Sequence, residues 1–492
     1  MKLFRVFVLP AALLLAGLVS CSRTHRVDVI PSPEKVCVRS ARVPLSDLGE
    51  AQCRLNASLP AEGYVLRIGK KGVRIAAADS AGLFYARQTL AQLAEADGTV
   101  PLGSIKDAPR FPWRGYMLDA SRHFIEKEKV FEVLDYMARY KLNKFHWHLT
   151  DTDGWRLEID GWLELTGIGA LGNRSDHGAP ARYYSKEDVR EVIAYAAARH
   201  IEVIPEVDMP GHASAANRAY PEFDGGGSER LPSFTFNVGK EETYAFLSDV
   251  LSCTAEQFPG AYIHLGGDEV DFAGKAWAQK PEIMELVARE KLDGLQGAEA
   301  WFDRRMQQVV AGLGKTAALW CDVVDYGLPT DGTLLYWWRH DRKDMLERCL
   351  EKGYATVLCP RHPLYFDFIQ DEGLKNGRTH RGNEYVGPCS LEDILAYPES
   401  EEGAFRDGKV SPLVVGLEAC LWTELVQNGK RVDFMTFPRL AALAESAWSQ
   451  PQNKDWTCFS TLLDREYALY ERAGLWYYDR RNPGLHDEYC AD

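Results

Sequence analysis

The chain has 492 residues, which is enough for about three domains of average size. Apolar residues make up 46% and charged residues 26% of the sequence, an ordinary globular composition that argues against disorder. The net charge of −14 argues against nucleic acid and against anionic lipid as the main partner, because both select basic surfaces. No apolar run reaches the roughly 18 residues that a membrane-spanning helix needs.

The N-terminus has the pattern of a targeting segment. Lys2 and Arg5 precede an apolar run over residues 6–18, which is too short to span a bilayer. Leu18-Val19-Ser20-Cys21 follows and resembles a bacterial lipobox, in which the cysteine is lipidated after cleavage before it.

We therefore expect a lipoprotein signal peptide over residues 1–20 and a lipid anchor at Cys21. The alternative is a plain secretory signal with a chance cysteine. Ser22 stands where an acid would favour the inner membrane, so the expected location is the bacterial cell envelope, anchored in the outer membrane.

Ten cysteines remain beyond Cys21, and disulfides are permitted in the oxidising compartment that an export signal implies. No CxxC pair occurs among them, so neither a metal site nor a redox motif has support from the cysteines. We expect most of them to be buried thiols and predict one disulfide, Cys37–Cys53.

Residues 21–108 have the pattern of a small α+β domain. Two short strands are predicted over residues 64–69 and 73–77, with a hairpin turn from Gly69 to Gly72 between them. Residues 80–93 have apolar side chains near helical spacing, which predicts a helix after the hairpin.

From Trp113 onward, short apolar runs alternate with helix-like segments, one of which begins with a capping box at Ser185-Lys-Glu-Asp188. Eight strands that alternate with helices predict parallel pairing with right-handed crossovers. We therefore expect a (β/α)₈ barrel over residues 109–450 and a helical extension over 451–492; an open doubly wound sheet is the alternative. The predicted strands cover residues 115–119, 144–149, 201–207, 261–265, 316–320, 333–337, 355–358 and 413–417.

Polar and aromatic side chains follow all eight predicted strands. In a barrel these positions share the carboxyl-terminal mouth, where active sites lie. The set predicts a concave, acid-lined pocket with tryptophan walls, which suits an uncharged, ring-shaped polar ligand such as a carbohydrate. In chain order the residues are Asp119, Arg122, His146, His148, Asp151, Glu206, Asp208, His212, Asp268, Glu269, Trp320, Asp322, Trp338, Tyr365, Asp367, Trp422 and Glu424.

Five motifs carry these residues. They read Gly115-Tyr-Met-Leu-Asp119-Ala-Ser-Arg122-His-Phe, Trp147-His148-Leu-Thr-Asp151 with Gly154-Trp155-Arg156, Pro205-Glu-Val-Asp208-Met-Pro-Gly-His212, His264-Leu-Gly-Gly-Asp268-Glu269 and Glu418-Ala-Cys-Leu-Trp422-Thr-Glu424. Together they resemble glycoside hydrolase family 20, the β-N-acetylhexosaminidases. The resemblance covers about residues 60–450, including the small N-terminal domain.

The resemblance implies an exo-acting enzyme that removes terminal N-acetylhexosamine from glycans. In this family the 2-acetamido group of the substrate, rather than a protein carboxylate, is the nucleophile. It implies that Glu269 is the general acid and then the base, that Asp268 holds the acetamido N–H and stabilises the oxazolinium-like cation, and that Tyr365 donates its hydroxyl to the acetamido carbonyl.

The resemblance also assigns the residues that would bind the sugar. The tryptophans would enclose it: Trp320 and Trp338 around the acetamido methyl, and Trp422 under the ring. Polar contacts to the outer hydroxyls would come from Arg122, Glu424 and Asp367. His212 and Asp151 would form a hydrogen-bond chain behind the general acid, Glu269. No cofactor or metal is expected.

One geometric condition follows from the adjacency of Asp268 and Glu269. Successive strand residues face opposite sides, so both acids can enter one site only if the chain leaves β geometry beforehand. Gly266 and Gly267 make that departure easy, because glycine adopts positive φ without steric cost.

Two other functions compete with this interpretation. His146-Trp-His148 could begin the metal site of a metal-dependent barrel hydrolase, because both imidazoles point the same way. A non-catalytic glycan-binding lipoprotein would keep the tryptophan walls without needing the acid pair.

The sequence departs from the family pattern at two places. Residues 368–421 contain no tryptophan, although the family carries one there on the leaving-group side. The second motif reads Asp151-Thr-Asp153-Gly, so Asp151 is the better match to the family's acid. The sequence does not distinguish GlcNAc from GalNAc as the preferred terminal sugar.

Overall fold

The computed structural model describes residues 23, 24, 26–270 and 275–490. The predicted signal peptide and Cys21 lie outside the described residues. The described chain forms a six-stranded sheet followed by a closed barrel of eight parallel strands.

The six-stranded sheet forms the N-terminal domain. Its strands, numbered along the chain, are Arg23–Thr24, Lys35–Pro44, Gln52–Leu55, Tyr64–Gly69, Gly72–Ala77 and Thr99–Asp107, in the spatial order 1-2-6-4-5-3. Gly69 lies opposite Gly72, so the predicted hairpin is confirmed. The predicted helix is also confirmed, over Ser80–Ala94, and begins where Asp79 accepts a hydrogen bond of 2.8 Å from the Gly82 N–H.

The predicted Cys37–Cys53 disulfide is wrong. Cys37 lies on the second strand and Cys53 on the third, and the sixth, fourth and fifth strands lie between them. Neighbouring strands are about 4.8 Å apart, which places these cysteines far beyond the roughly 7 Å between Cα atoms that a disulfide spans. All ten cysteines in the described part of the chain are free thiols.

Buried polar contacts join this domain to the barrel. Asp107 accepts hydrogen bonds from the Trp448 indole and from the Lys141 ammonium, both at 3.0 Å. The Arg114 guanidinium, which is fully buried, contacts Glu62 at 2.7 Å. Each buried charge is therefore paired across the junction, as a low-dielectric interior requires.

The barrel strands are Trp113–Asp119, Lys144–His148, Glu202–Met209, Tyr262–Gly266, Thr316–Trp320, Thr333–Trp337, Ala355–Leu358 and Val414–Leu421. They are called the first to the eighth barrel strand below. Each overlaps one of the eight predicted strands. The first pairs in parallel with the eighth, with Trp113 opposite Gly416, so the ring closes and the open sheet is excluded.

Helices surround the barrel and bury apolar side chains against it, as Lys127–Arg139 does with Val130, Leu134 and Met137. The capping box is confirmed: Ser185 and Asp188 exchange hydrogen bonds at the start of one helix. The α-helices are Lys127–Arg139, Glu164–Gly167, Lys186–Ala197, Ser214–Ala219, Glu241–Gln257, Pro281–Arg289, Gly294–Gly312, Lys343–Glu351, Arg361–Leu364, Leu391–Ala396, Gly429–Thr436, Arg439–Trp448 and Trp456–Ala473.

The last helix, Trp456–Ala473, packs on the outside of the barrel. Glu466 on this helix contacts Arg139 at 2.7 Å, and the hydroxyls of Tyr140 and Tyr470 lie 2.6 Å apart. Across the described residues, no helix combines the length and the apolar character that crossing a membrane would demand.

Three small hairpins lie in the connections between the barrel strands, and His380 and Arg381 of the second one line the mouth of the barrel. Their strands are Asp224–Gly226 with Thr235–Phe236, His380–Arg381 with Glu384–Tyr385, and Phe405–Arg406 with Lys409–Val410.

Candidate active site

A cavity of about 1320 Å³ opens at the carboxyl-terminal mouth of the barrel. Its wall includes Glu269 after the fourth strand, Trp338 after the sixth and Glu424 after the eighth. The parallel barrel therefore brings side chains that are far apart in sequence into one pocket, as expected from the strand ends.

The two acids enter the pocket because the chain turns sharply after the fourth strand. Gly266 and Gly267 have φ of 71° and 87°, and Glu269 has φ of 55°. A Cβ atom at Gly266 would lie 1.7 Å from Asp208 Oδ1, so any larger residue would have to displace that buried carboxylate. The expected departure from β geometry is confirmed. The positive φ of Glu269 is backbone strain of the kind that concentrates at functional sites.

One imidazole faces both acids. His212 Nε2 lies 3.5 Å from Asp268 Oδ2 and 3.6 Å from Glu269 Oε2, and its Nδ1 lies 3.1 Å from Asp151 Oδ1. Burial lowers the pKa of His212, but Asp151, Asp208 and Asp268 outweigh it and raise the pKa well above its ordinary value. The structure thus brings together four of the residues predicted from the motifs.

The pKa of Glu269 is raised into the range that suits a general acid near neutral pH. Burial and then the charge of Asp268 raise its pKa to about 7, against the opposing effects of His212 and Arg361. A carboxylic acid with this pKa is partly protonated near neutral pH and can both give and take a proton.

Asp151 is held ionised behind His212. Burial raises its pKa, but Arg122, whose Nη2 lies 2.6 Å away, and His212 lower it well below the ordinary value. His148 Nε2 also contacts Asp151, at 3.0 Å. Because Asp151 stays anionic, it fixes the orientation of the imidazole that faces the acids.

A buried carboxylate, Glu206, continues this chain into the barrel. It contacts four ring nitrogens: His146 Nε2 at 3.1 Å, His264 Nδ1 at 2.9 Å, Trp320 Nε1 at 2.9 Å, and His148 Nδ1. All five side chains are buried. Acids and imidazoles therefore alternate from the barrel interior to the site, and this network orients the first tryptophan wall.

The two histidines of the His146-Trp-His148 motif are both bound to carboxylates. His146 Nδ1 lies 2.8 Å from Glu418, and its other nitrogen contacts Glu206. His148 bridges Glu206 and Asp151. Several groups of three in this network have metal-compatible spacing. A metal ion would have to replace these contacts, so the donor set fits a hydrogen-bond network better than a metal centre.

Four aromatic rings form a cluster at the mouth of the barrel, and one of them, Trp338, lines the cavity. Trp422 lies 5.8 Å from Trp320 and 6.0 Å from Tyr365, and Tyr365 lies parallel to Trp338 at 6.4 Å between ring centroids. The Trp338 indole donates to Asp322 at 2.7 Å. The rings are thus fixed in place, which suits stacking against a flat sugar face.

The residues predicted to bind the outer hydroxyls of the sugar are Arg122, Asp367 and Glu424. The Arg122 guanidinium lies 4.9 Å from the Trp422 ring. Asp367 and Glu424 both contact one cation, Arg378: its Nε lies 2.7 Å from Asp367 Oδ2, and its Nη2 contacts Glu424. Burial raises the pKa of Asp367 to about 6, against the opposing charge of Arg378.

Three buried acceptor atoms in or near this cavity lack a hydrogen-bond partner among the described residues. Asp268 Oδ1, Asp367 Oδ1 and Glu424 Oε2 are buried without a hydrogen bond to any described residue. Such atoms are costly unless a ligand or water satisfies them. Each can accept a hydrogen bond, so the pocket is matched to a ligand that presents N–H and O–H donors.

The sequence reasoning missed several residues of this site. Arg378 and Arg361 line the cavity but belong to no motif and carry no spacing signal. The sequence places Asp322 at a strand end and Asp208 within the third motif, but it assigns no role to either residue. Burial and the charge of Asp268 raise the pKa of both, to about 6 for Asp322.

Two family descriptions cover most of the chain. "Glycosyl hydrolase family 20, catalytic domain" matches residues 111–451, and "Glycosyl hydrolase family 20, domain 2" matches residues 46–108.

Among curated proteins, a Beta-hexosaminidase from Vibrio furnissii is 36% identical over 81% of this chain and 68% of its own length. A Beta-hexosaminidase from Porphyromonas gingivalis is 32% identical over 85% of this chain, which spans only 55% of that relative.

Solved structures agree with the sequence matches. An exo β-N-acetylglucosaminidase from Vibrio harveyi, in complex with N-acetylglucosamine, superimposes with a TM-score of 0.83 at 28% identity, over 96% of this chain and 81% of that one. A β-N-acetylhexosaminidase from Bacteroides fragilis gives 0.81 at 29% identity, over 94% of this chain and 99% of that one. On this evidence, the chain belongs to glycosyl hydrolase family 20 and is a glycoside hydrolase.

Proposed function

We propose that the protein is an exo-acting β-N-acetylhexosaminidase that removes terminal non-reducing GlcNAc or GalNAc with retention of configuration. The observation that carries the proposal is the approach of Asp268 and Glu269 to one imidazole nitrogen, at 3.5 and 3.6 Å, beside a cavity that Glu269 and Trp338 line. The relative from Vibrio furnissii is named a Beta-hexosaminidase, and the solved structure from Vibrio harveyi is that of an exo β-N-acetylglucosaminidase in complex with N-acetylglucosamine. A non-catalytic glycan-binding protein would not need this acid pair.

In the first step, Glu269 gives its proton to the glycosidic oxygen, and the bond from the anomeric carbon to that oxygen breaks. The acetamido oxygen of the same sugar attacks the anomeric carbon from the opposite face, which closes an oxazolinium ring. Asp268 Oδ1, the buried acceptor without a partner, takes the hydrogen bond of the acetamido N–H and stabilises the positive charge. Tyr365 donates its hydroxyl to the acetamido oxygen.

In the second step, the Glu269 carboxylate takes a proton from water, and the resulting hydroxide equivalent attacks the anomeric carbon. The ring opens, the acetamido group is restored, and two inversions give net retention. A pKa of about 7 suits Glu269 for both directions of proton transfer.

The proposed contacts with the sugar come from three tryptophans and from two charged side chains. Trp320, Trp338 and Trp422 enclose the sugar, and Arg122 and Glu424 meet its outer hydroxyls. Glu424 Oε2 has the free acceptor capacity that a hydroxyl requires. Because the resemblance places Arg122 and Glu424 on the hydroxyls of the non-reducing end, a further sugar there would displace those contacts, which is the reason to expect exo action.

The test is hydrolysis of 4-nitrophenyl β-glycosides of GlcNAc, GalNAc and glucose under identical conditions. We expect cleavage of the two acetamido sugars and none of the glucoside, because the glucoside lacks the internal nucleophile. Equal cleavage of the glucoside would contradict the proposal.

The same assay with and without a strong chelator separates this reaction from that of a metal-dependent barrel hydrolase. Unchanged rates are expected, since His146 and His148 are bound to carboxylates. Loss of activity that returns on adding zinc would support the metal-dependent alternative.

We further propose that Cys21 anchors the protein to the outer membrane of a bacterial envelope after residues 1–20 are removed. The support is the lipobox pattern in the sequence. Mass spectrometry of protein from the native membrane tests this: an acylated N-terminal Cys21 is expected, and an unmodified N-terminus at another residue would overturn the anchor.

A further inference from the structure

The mouth of the active-site cavity is basic, although the chain as a whole is acidic. Six arginines line the cavity, against three carboxylates, whereas the whole chain has 57 basic and 71 acidic residues. Two of the three acids have pKa values raised by burial, to about 7 for Glu269 and about 6 for Asp322. The lining arginines are Arg174, Arg230, Arg339, Arg361, Arg378 and Arg381.

Three of these arginines, Arg339, Arg361 and Arg381, share one acid and are called the arginine cluster. Asp341 accepts two bonds from Arg339, at 3.1 and 3.2 Å, and also contacts Arg381. Arg361 Nη1 lies 3.8 Å from the same carboxylate. Glu384 contacts Arg381 at 2.6 Å, but its side chain is 62% exposed, so water screens that pair.

Arg361 is the member with the fewest contacts. Its Nη1 is buried without a hydrogen-bond partner among the described residues. Its guanidinium lies 4.6 Å from the Trp338 ring, and its side chain is 12% exposed. A guanidinium this buried is costly unless an anion satisfies it.

The position of the cluster indicates which part of a substrate it would meet. Arg339 follows the sixth strand beside Trp338, Arg361 follows the seventh, and Arg361 is close enough to Glu269 to lower its pKa. Glu269 protonates the oxygen of the leaving group, so the leaving sugar starts beside this acid. The hydroxyl-binding pair of Asp367 and Glu424 is held by a different cation, Arg378.

We propose that the arginine cluster binds a sulfate or carboxylate group on the leaving-group sugar, so that the preferred substrates are acidic glycans. The inference rests on the proposed function, because it uses Glu269 to orient the glycan. Guanidinium groups match both oxyanions, since each presents several N–H donors in a planar fork.

Two pairs of disaccharides test the proposal. GlcNAc β-1,3-linked to galactose is compared with its galactose 6-sulfate, and GlcNAc β-1,4-linked to glucose with its glucuronic acid counterpart. We expect kcat/KM to favour the charged member of at least one pair by about tenfold at low salt, which corresponds to one charge-assisted hydrogen bond. The advantage should shrink as salt rises. The two pairs distinguish sulfate from carboxylate.

Variants of the arginine cluster test whether these residues cause the preference for charged disaccharides. Arg361→Gln and Arg381→Gln should each reduce the charged-to-neutral ratio, whatever they do to the absolute rate. The matched control is Arg190→Gln, on the outer helix Lys186–Ala197, where the arginine side chain is 73% exposed and contacts Glu187. This control should leave the ratio unchanged.

The outcomes separate the two proposals. Cleavage of all neutral and charged disaccharides at equal rates would overturn the acidic-glycan inference and leave the proposed function standing. A charge preference that survives in both cluster variants would overturn the assignment to the cluster. Failure to cleave any of the four, or the aryl N-acetylglucosaminide, would overturn the proposed function and this inference together.

Discussion

The Glu269→Gln variant is expected to hydrolyse 4-nitrophenyl N-acetyl-β-glucosaminide at least about 100-fold more slowly than the wild type, because general acid–base catalysis contributes about 10²- to 10⁴-fold. Glutamine keeps the shape of the side chain but has no carboxyl proton to give. A GlcNAc disaccharide should lose more activity than the aryl substrate, since an alkoxide leaves poorly without protonation.

The pH profile gives the same variant a second readout. Burial and Asp268 raise the pKa of Glu269 to about 7, and the first step needs the protonated form. The kcat/KM of the wild type, which reports the free enzyme, should therefore fall as pH rises through about 7, and the variant should lack this decline. Steady-state kinetics on both sides of this pKa measure both.

Glu282→Gln is the control, because its side chain is 41% exposed on the outer helix Pro281–Arg289. It should retain wild-type turnover and the wild-type profile. Unchanged turnover in Glu269→Gln would remove Glu269 from the role of general acid.

The barrel could be predicted from the sequence because its signals are local. Eight apolar runs alternate with helix patterns, and parallel strands leave few topologies. The turn at Gly266 and Gly267 was also foreseeable, since two adjacent acids cannot otherwise face one pocket. The close approach of Asp208 to Gly266 was not, because Asp208 comes from another strand.

Contacts that join distant loops could not be predicted in this way. Arg378 reaches Asp367 and Glu424 from a stretch without a motif. The disulfide prediction failed for the same reason: Cys37 and Cys53 are close in sequence, but the spatial order of the strands separates them.

The structure shows which side chains line the cavity from residues 368–421, where the family's tryptophan is missing. The cavity lining from this stretch includes Arg378 and Arg381 instead. An aromatic wall favours neutral sugar faces, whereas guanidinium groups favour anions. The departure from the family pattern therefore agrees with the acidic-glycan inference.

The hydrogen-bond network around His212 and Asp151 explains why the site can be rigid although two of its residues have strained backbone conformations. Glu269 and His212 both have positive φ, at 55° and 53°. His212 is held by Asp151, which is held by Arg122 and His148. Groups fixed before the substrate arrives need no reorganisation during the reaction, which is the basis of electrostatic catalysis.

The central claim is that the acetamido group of the substrate performs the attack. Its carbonyl oxygen becomes less nucleophilic as fluorine replaces hydrogen on the acetyl methyl, while the leaving group and the sugar ring stay the same. We expect kcat/KM to fall at every step, by about 10³-fold overall, which corresponds to about 4 kcal/mol of barrier. The fluorine is small, so the contacts with Trp320 and Trp338 change little by comparison.

The decisive measurement is therefore kcat/KM for 4-nitrophenyl glucosaminides carrying acetyl, monofluoroacetyl, difluoroacetyl and trifluoroacetyl groups. A steep, monotonic decrease is the result that substrate-assisted catalysis predicts. A flat series would mean that a carboxylate of the protein attacks the anomeric carbon, and it would contradict the roles proposed for Asp268 and Tyr365.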